Sequence, residues 1–134
     1  MQVELTALAL SAVLVVAYIL APAFRRLTLS REWAAGNRDG TPPDTGIRGQ
    51  RADRAVKNIL ETYPVFVAVT LGVVVAGGAG TLSAIGAVLY VAARVFYWPA
   101  YVYGLGPVRS VFYGLAMLGI VLELIALFGA AMSA

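Results

Sequence analysis

The chain has 134 residues, 60% of them hydrophobic and only 13% charged, with a mean hydropathy of +0.82. Soluble domains carry about 25% charged residues, and a chain this small cannot hide so much apolar surface in water, so lipid is the expected solvent. The formal net charge is +3, with no histidine and no cysteine, which excludes disulfides, a protein thiolate and Cys-ligated metals and leaves a charge that changes little across neutral pH.

The first predicted element covers the uncharged stretch from Leu5 to Phe24, which contains one late proline, Pro22. A membrane span needs roughly 20 apolar residues at about 1.5 Å rise each, and this stretch supplies them. Met1-Gln2-Val3-Glu4 lacks the basic n-region of a secretory signal, so the segment reads as a retained span. Arg25, Arg26 and Arg31 follow it as interfacial side chains, and the helix is expected to run on to residue 35. Residues 36 to 49 are dense in glycine, proline, asparagine and aspartate and read as the main loop.

A second helix is expected over about residues 49–78. Its first part is charged, with Arg51, Asp53, Arg54 and Lys57, and it enters hydrocarbon near Ile59. Glu61 and Pro64 mark that boundary. The valine-rich run after Pro64 has a buried strand as its alternative, which length and setting disfavour. Gly77-Gly78-Ala79-Gly80 breaks the pattern, and Thr81 or Ser83 is a candidate cap for a third helix, about residues 81–104. Pro107 suits the first turn of a fourth helix, about residues 107–131. The fold class is therefore all-α, a single-domain integral membrane four-helix bundle.

Residues 25 to 57 hold eight Lys/Arg and four Asp/Glu, whereas residues 76 to 83 hold no charge. The positive-inside rule then places the first and third loops in the cytoplasm and both termini outside. The expected location is a bacterial inner membrane, crossed several times. The basic residues flank apolar spans instead of forming a basic domain, so membrane lipids, not nucleic acid, are the expected partners.

Polar side chains recur at helical spacing near the loop-rich edge. Arg54, Asn58 and Glu61 stand at i, i+4 and i+7, with Arg51 and Lys57 close by. Arg94, Tyr97 and Tyr101 follow in the third helix, and Arg109 and Tyr113 in the fourth. Arg51, Arg54 and Lys57 also fit as plain interface anchors. An arginine inside a span costs about 2.5–3.5 kcal/mol on insertion scales, so Arg94 needs a carboxylate or a wet cavity. Glu61 is the available partner on the same side, while Glu123 lies deeper; a structural Arg94–Glu61 bridge and a ligand contact both satisfy that need.

Several arginines with an asparagine and a glutamate suit a small anion that also bears an ammonium group. Arginines clamp carboxylates, Glu61 meets an amine and Asn58 an amide. Glutathione has all these groups, and a phospholipid head group competes for the same description. Arg109, in the first turn of the fourth helix, combines a fixed positive charge with helix-end amides that favour an anion. A thiol's ordinary pKa is about 8.5, and each unit of lowering takes about 1.4 kcal/mol. That is within reach of such a site. Arg109 also fits as an anchor to lipid phosphates.

Two sequence blocks carry a family resemblance. Arg54-Ala55-Val56-Lys57-Asn58-Ile59-Leu60-Glu61, followed by Tyr63-Pro64-Val65-Phe66, resembles the Arg-x-x-x-Asn-x-x-Glu stretch of the MAPEG family, the membrane-associated proteins of eicosanoid and glutathione metabolism. Ala93-Arg94-Val95-Phe96-Tyr97-Trp98-Pro99-Ala100-Tyr101, with Pro107-Val108-Arg109-Ser110 and Tyr113, resembles that family's third helix and the start of its fourth. Asn37 is similar to the asparagine that follows the first helix in relatives.

The resemblance implies a homotrimer that holds glutathione between subunits near the cytoplasmic face. Arg54, Asn58 and Glu61 would bind the tripeptide's backbone groups, with Arg51, Lys57 and Ser110 beside them. Arg94, Tyr97 and Tyr101 would line the other wall. Arg109 would activate the thiol, assisted by Tyr101 or Tyr113. The implied activity is a glutathione-dependent transferase or peroxidase acting on a lipophilic small molecule from the bilayer. The alternative is a non-catalytic trimeric membrane protein that binds anionic lipid or a protein partner. Tyr97 stands where one eicosanoid-synthase branch has histidine, and Lys57 where it has arginine. The arginine near the end of the first helix matches either Arg26 or Arg31. These departures favour a generic role over one eicosanoid product.

Overall fold

A computed structural model describes residues 2–133 of the chain. Five helices follow one another: α1 (Val3–Leu29), α2 (Arg31–Ala35), α3 (Gly46–Val75), α4 (Thr81–Val102) and α5 (Gly106–Ser133). The described residues contain no strand, and the valine run after Pro64 is helical within α3. Four of the helices are long and apolar enough to cross a membrane. Large aliphatic and aromatic side chains such as Val13, Ile125 and Phe128 stand exposed on their outer faces, which lipid tolerates and water does not. The protein is a multi-pass, all-α membrane protein.

The first helix does not run unbroken to residue 35. Ser30 is extended, at φ −153° and ψ 90°, and its hydroxyl accepts the backbone N–H of Trp33. A serine that takes an amide two or three residues ahead starts a new helix, so α1 stops at Leu29 and the short α2 sets off separately. The loop is also shorter than expected. The Asp44 carboxylate accepts the N–H of Gly46 at 2.9 Å, and α3 begins there.

Two glycines end helices in the same way. Gly77 and Gly104 have φ of 71° and 74°, a conformation that suits a residue without Cβ. Gly78 N–H bonds the Val73 carbonyl while Gly77 N–H bonds that of Val74; Leu105 and Gly104 do the same to Ala100 and Tyr101. Both are Schellman motifs. At the start of α4 the preceding residue is Gly80, and the Ser83 hydroxyl reaches back to accept its N–H at 2.9 Å.

Packing is closest where α4 meets α5. A Cβ built on Gly86 would lie 2.5 Å from the Gly119 carbonyl oxygen, and one on Gly119 2.5 Å from that of Gly86. Small residues let helix backbones approach when no hydrophobic drive separates protein from lipid. Below this crossing, Phe66 of α3 stacks on Tyr90 of α4 with ring centroids 4.0 Å apart. Glu123 is buried and accepts the Thr70 hydroxyl at 3.1 Å, tying α5 to α3. Gly119→Leu is expected to force α4 and α5 apart and cost about 1–3 kcal/mol, the usual penalty of overpacking; equilibrium unfolding in detergent followed by circular dichroism measures it.

Candidate functional site

The site begins with Arg94, whose side chain is completely buried. Its guanidinium donates to Asn58 Oδ1 and Thr62 Oγ1, each at 2.8 Å. Asn58 and Thr62 are one turn apart on α3, so their side chains meet the same fork. The Thr62 hydroxyl lies 3.2 Å from the Tyr90 hydroxyl. Three rings surround the cation, with Tyr97 at 4.6 Å, Tyr113 at 5.7 Å and Tyr90 at 5.8 Å from centroid to Cζ. Aromatic faces attract a desolvated cation.

Glu61 is not the partner of Arg94. It sits one residue before Thr62, about 100° around the helix, and is exposed. The expected Arg94–Glu61 bridge therefore does not form, and neutral acceptors take its place. The guanidinium keeps its charge without a carboxylate to cancel it.

A second group of side chains adjoins the first. Tyr97 is buried and meets Tyr101 edge-on, with centroids 5.6 Å apart. Tyr101 stands between two arginines. Arg54 Nε donates to its hydroxyl at 3.2 Å, and the Arg109 guanidinium lies 4.8 Å from its ring centroid. The ends of the helices fix this meeting. The Schellman turn at Gly104 stops α4 just beyond Tyr101, and Pro107 in the first turn of α5 brings Arg109 back alongside it. Arg51 lies against Gly104, where a Cβ would come within 2.7 Å of its Nη1, and it donates to the Val102 carbonyl at 3.4 Å.

The chain thus brings together Arg54, Asn58, Arg94, Tyr97, Tyr101, Arg109 and Tyr113, with Arg51 at the edge. Lys57, Glu61 and Ser110 are exposed around the group and have no side-chain hydrogen bond to another described residue. Among the described residues, Arg54, Arg94 and Arg109 form no ion pair with a carboxylate. Arg26 is paired with Asp53, which leaves Arg31 as the freer of the two arginines near the end of the first span. Two polar atoms inside the group, Arg94 Nε and the Tyr97 hydroxyl, are buried with no partner among the described residues.

The MAPEG family matches residues 3–129, almost the whole chain. The chain belongs to the MAPEG family. MAPEG proteins are membrane proteins of glutathione and eicosanoid metabolism, generally use glutathione and are generally trimeric. No curated protein and no solved structure matches the chain.

Sequence reasoning overlooked Thr62 and Tyr18, and it took Tyr90 for an aromatic-belt or packing residue; Tyr90 does pack in the core, and it also joins the network through Thr62. Thr62 continues the Arg54, Asn58 series at i+8, a signal that was readable but masked by the neighbouring Glu61. Tyr18 of α1 donates its hydroxyl to the Arg94 carbonyl. That contact lies next to Val95, whose carbonyl loses its helical donor because Pro99 has no N–H. Thr62→Val removes an acceptor from Arg94 and is expected to cost about 1–2 kcal/mol of stability in detergent, with Thr62→Ser close to wild type in the same unfolding measurement.

Proposed function

We propose that this MAPEG protein is a glutathione-dependent membrane transferase or peroxidase acting on a lipophilic electrophile. The observation that carries the reading is the gathering of Arg54, Arg94 and Arg109 around Tyr97 and Tyr101 with no carboxylate neutralising them. Three uncompensated cations, with Arg94 buried, Arg109 half-buried and Arg54 exposed, favour an anion. The two unpartnered atoms, Arg94 Nε and Tyr97 Oη, offer further polar contacts, since buried polar groups normally find a partner.

Glutathione supplies two carboxylates, an ammonium group, amides and a thiol. Arg54 with Arg51 suits a carboxylate, Glu61 the ammonium group, and Lys57 and Ser110 the remaining polar groups. Arg109 stands at the start of α5, where a guanidinium and helix-end amides stabilise a thiolate. Tyr101 positions Arg109 through its ring, and its hydroxyl or that of Tyr113 donates to the sulfur. The thiolate then attacks an electrophilic carbon, forming a C–S bond while the leaving group departs with the electron pair. With a hydroperoxide as substrate, a second glutathione completes the reduction and leaves the disulfide.

Glu61, Lys57 and Ser110 face outward from the single chain, so a neighbouring copy in the trimer would close the site. This fits a pocket between subunits, open to the bilayer for the lipophilic partner. Titration of the detergent-solubilised protein with glutathione, read as ultraviolet difference absorbance of the thiolate, tests the proposal. A thiolate signal at neutral pH is expected from wild type. Because the bound thiol's pKa lies below its ordinary value of about 8.5, the signal fades as pH falls through the lowered value. Arg109→Ala should raise that pKa by about one to two units, abolishing the neutral-pH signal while the oligomer stays intact. Wild-type protein that binds no glutathione rejects the proposal and favours the non-catalytic alternative.

A further inference from the structure

A second basic site lies at the same end of the bundle. A crevice of about 340 Å³ opens between the end of α1, the start of α3 and the end of α4. Arg25 and Arg48 stand at it, above walls that include Pro22, Ala52 and Val102. Neither arginine forms an ion pair among the described residues; Arg48 lies over the Tyr103 ring at 4.9 Å. Trp98 lines the crevice, and its indole Nε1 is buried with no acceptor among the described residues.

The crevice continues into lipid depth. A second cavity of about 300 Å³ runs along the α1–α4 face, lined by Leu14, Ala17, Tyr18 and Val95, and it shares Ala21 and Trp98 with the first. The two together have a cationic mouth at the end of the first span, the Trp98 ring at the junction, and an apolar trough along the span. That is the charge and polarity profile of one anionic lipid, with its phosphate at the arginines and an acyl chain in the trough.

We propose that this α1–α4 groove binds an anionic phospholipid, with the phosphate held by Arg25 and Arg48 and one acyl chain along Leu14, Ala17 and Val95. None of these residues belongs to the Arg54–Arg94–Arg109 group, so the proposal stands or falls separately from the glutathione reading. A guanidinium pair matches phosphate oxygens, and basic residues near a membrane surface each favour an anionic lipid by about fivefold. Diffuse attraction alone would give such a preference without using the trough. The test must separate a seated lipid from a crowd of anions.

The full chain carrying Trp33→Phe, which leaves Trp98 as its single tryptophan, is reconstituted in phosphatidylcholine vesicles. These contain a small fraction of phosphatidylglycerol or phosphatidylcholine brominated on the acyl chain. Brominated phosphatidylglycerol is expected to quench Trp98 with an apparent affinity at least tenfold above brominated phosphatidylcholine. Arg25→Gln with Arg48→Gln should remove most of that preference. Ala21→Leu keeps both charges but fills the junction of the two cavities, and it should remove the preference as well. Glutathione binding by each variant reports an intact fold where wild type binds it; circular dichroism and oligomer size report it otherwise. Equal quenching by the two lipids in the Trp33→Phe protein overturns the proposal. A preference that survives Ala21→Leu overturns it too, since only diffuse attraction remains. Competition by soluble glycerophosphate without any acyl-chain quenching would identify a free-phosphate site and likewise reject the lipid.

Discussion

Burying a guanidinium among membrane helices is the requirement around which the rest of this bundle is arranged. Arg94 carries a full charge, and lipid provides no water to solvate it. Insertion alone costs about 2.5–3.5 kcal/mol, and the cost grows if the donors go unmet. The chain answers with neutral groups. Asn58 and Thr62 accept from it, Tyr90 joins the network through Thr62, and three tyrosine rings turn their faces or edges toward it. A carboxylate would have neutralised the charge on the spot. Neutral acceptors stabilise it and leave its field intact, so the charge remains available to a third party.

The same choice explains the neighbouring geometry. An uncancelled cation repels other cations, yet Arg54 and Arg109 are held close by. Tyr101 makes this possible by presenting its hydroxyl to one and its ring to the other. Its position in turn depends on backbone features. Pro99 interrupts the hydrogen-bond ladder of α4, Tyr18 supports the neighbouring Arg94 carbonyl, and the Gly104 turn ends the helix just beyond Tyr101. An arrangement of like charges that costs energy in the empty protein becomes favourable when an anion enters.

The spans, their order and the glycine-rich breaks were legible in the sequence because lipid imposes long apolar runs and backbone satisfaction. The polar residues that gather in the candidate site stood out too, since few charged groups occur near hydrocarbon. What could not be read was pairing. Helical spacing says which residues share a face, not which of two adjacent ones reaches across to the next helix. Glu61 and Thr62 differ by one position, and the rotation of α3 against α4 decides between them. The break at Ser30 escaped for a related reason. Its flanks read as helical, and one hydroxyl-to-amide bond decides the turn. Gly86 and Gly119 escaped because their contact joins two helices and leaves no period in either.

Charge is distributed around the bundle end in three lots with different fates. Arg26 is neutralised by Asp53 and ties α1 to α3; such a half-exposed pair adds little stability, but it fixes which arginines remain unpaired. Arg54, Arg94 and Arg109 converge with tyrosines and exposed polar residues, a setting for a water-soluble anion with many hydrogen-bonding groups. Arg25 and Arg48 instead stand over an apolar trough, a setting for an anion that carries a chain. α4 contributes to both, since Trp98 lies about 100° around the helix from Tyr97 and about 60° from Tyr101, and all three pack against one cluster. One short stretch of α4 therefore borders both settings, its tyrosines beside the unpaired arginines and its tryptophan beside the apolar trough.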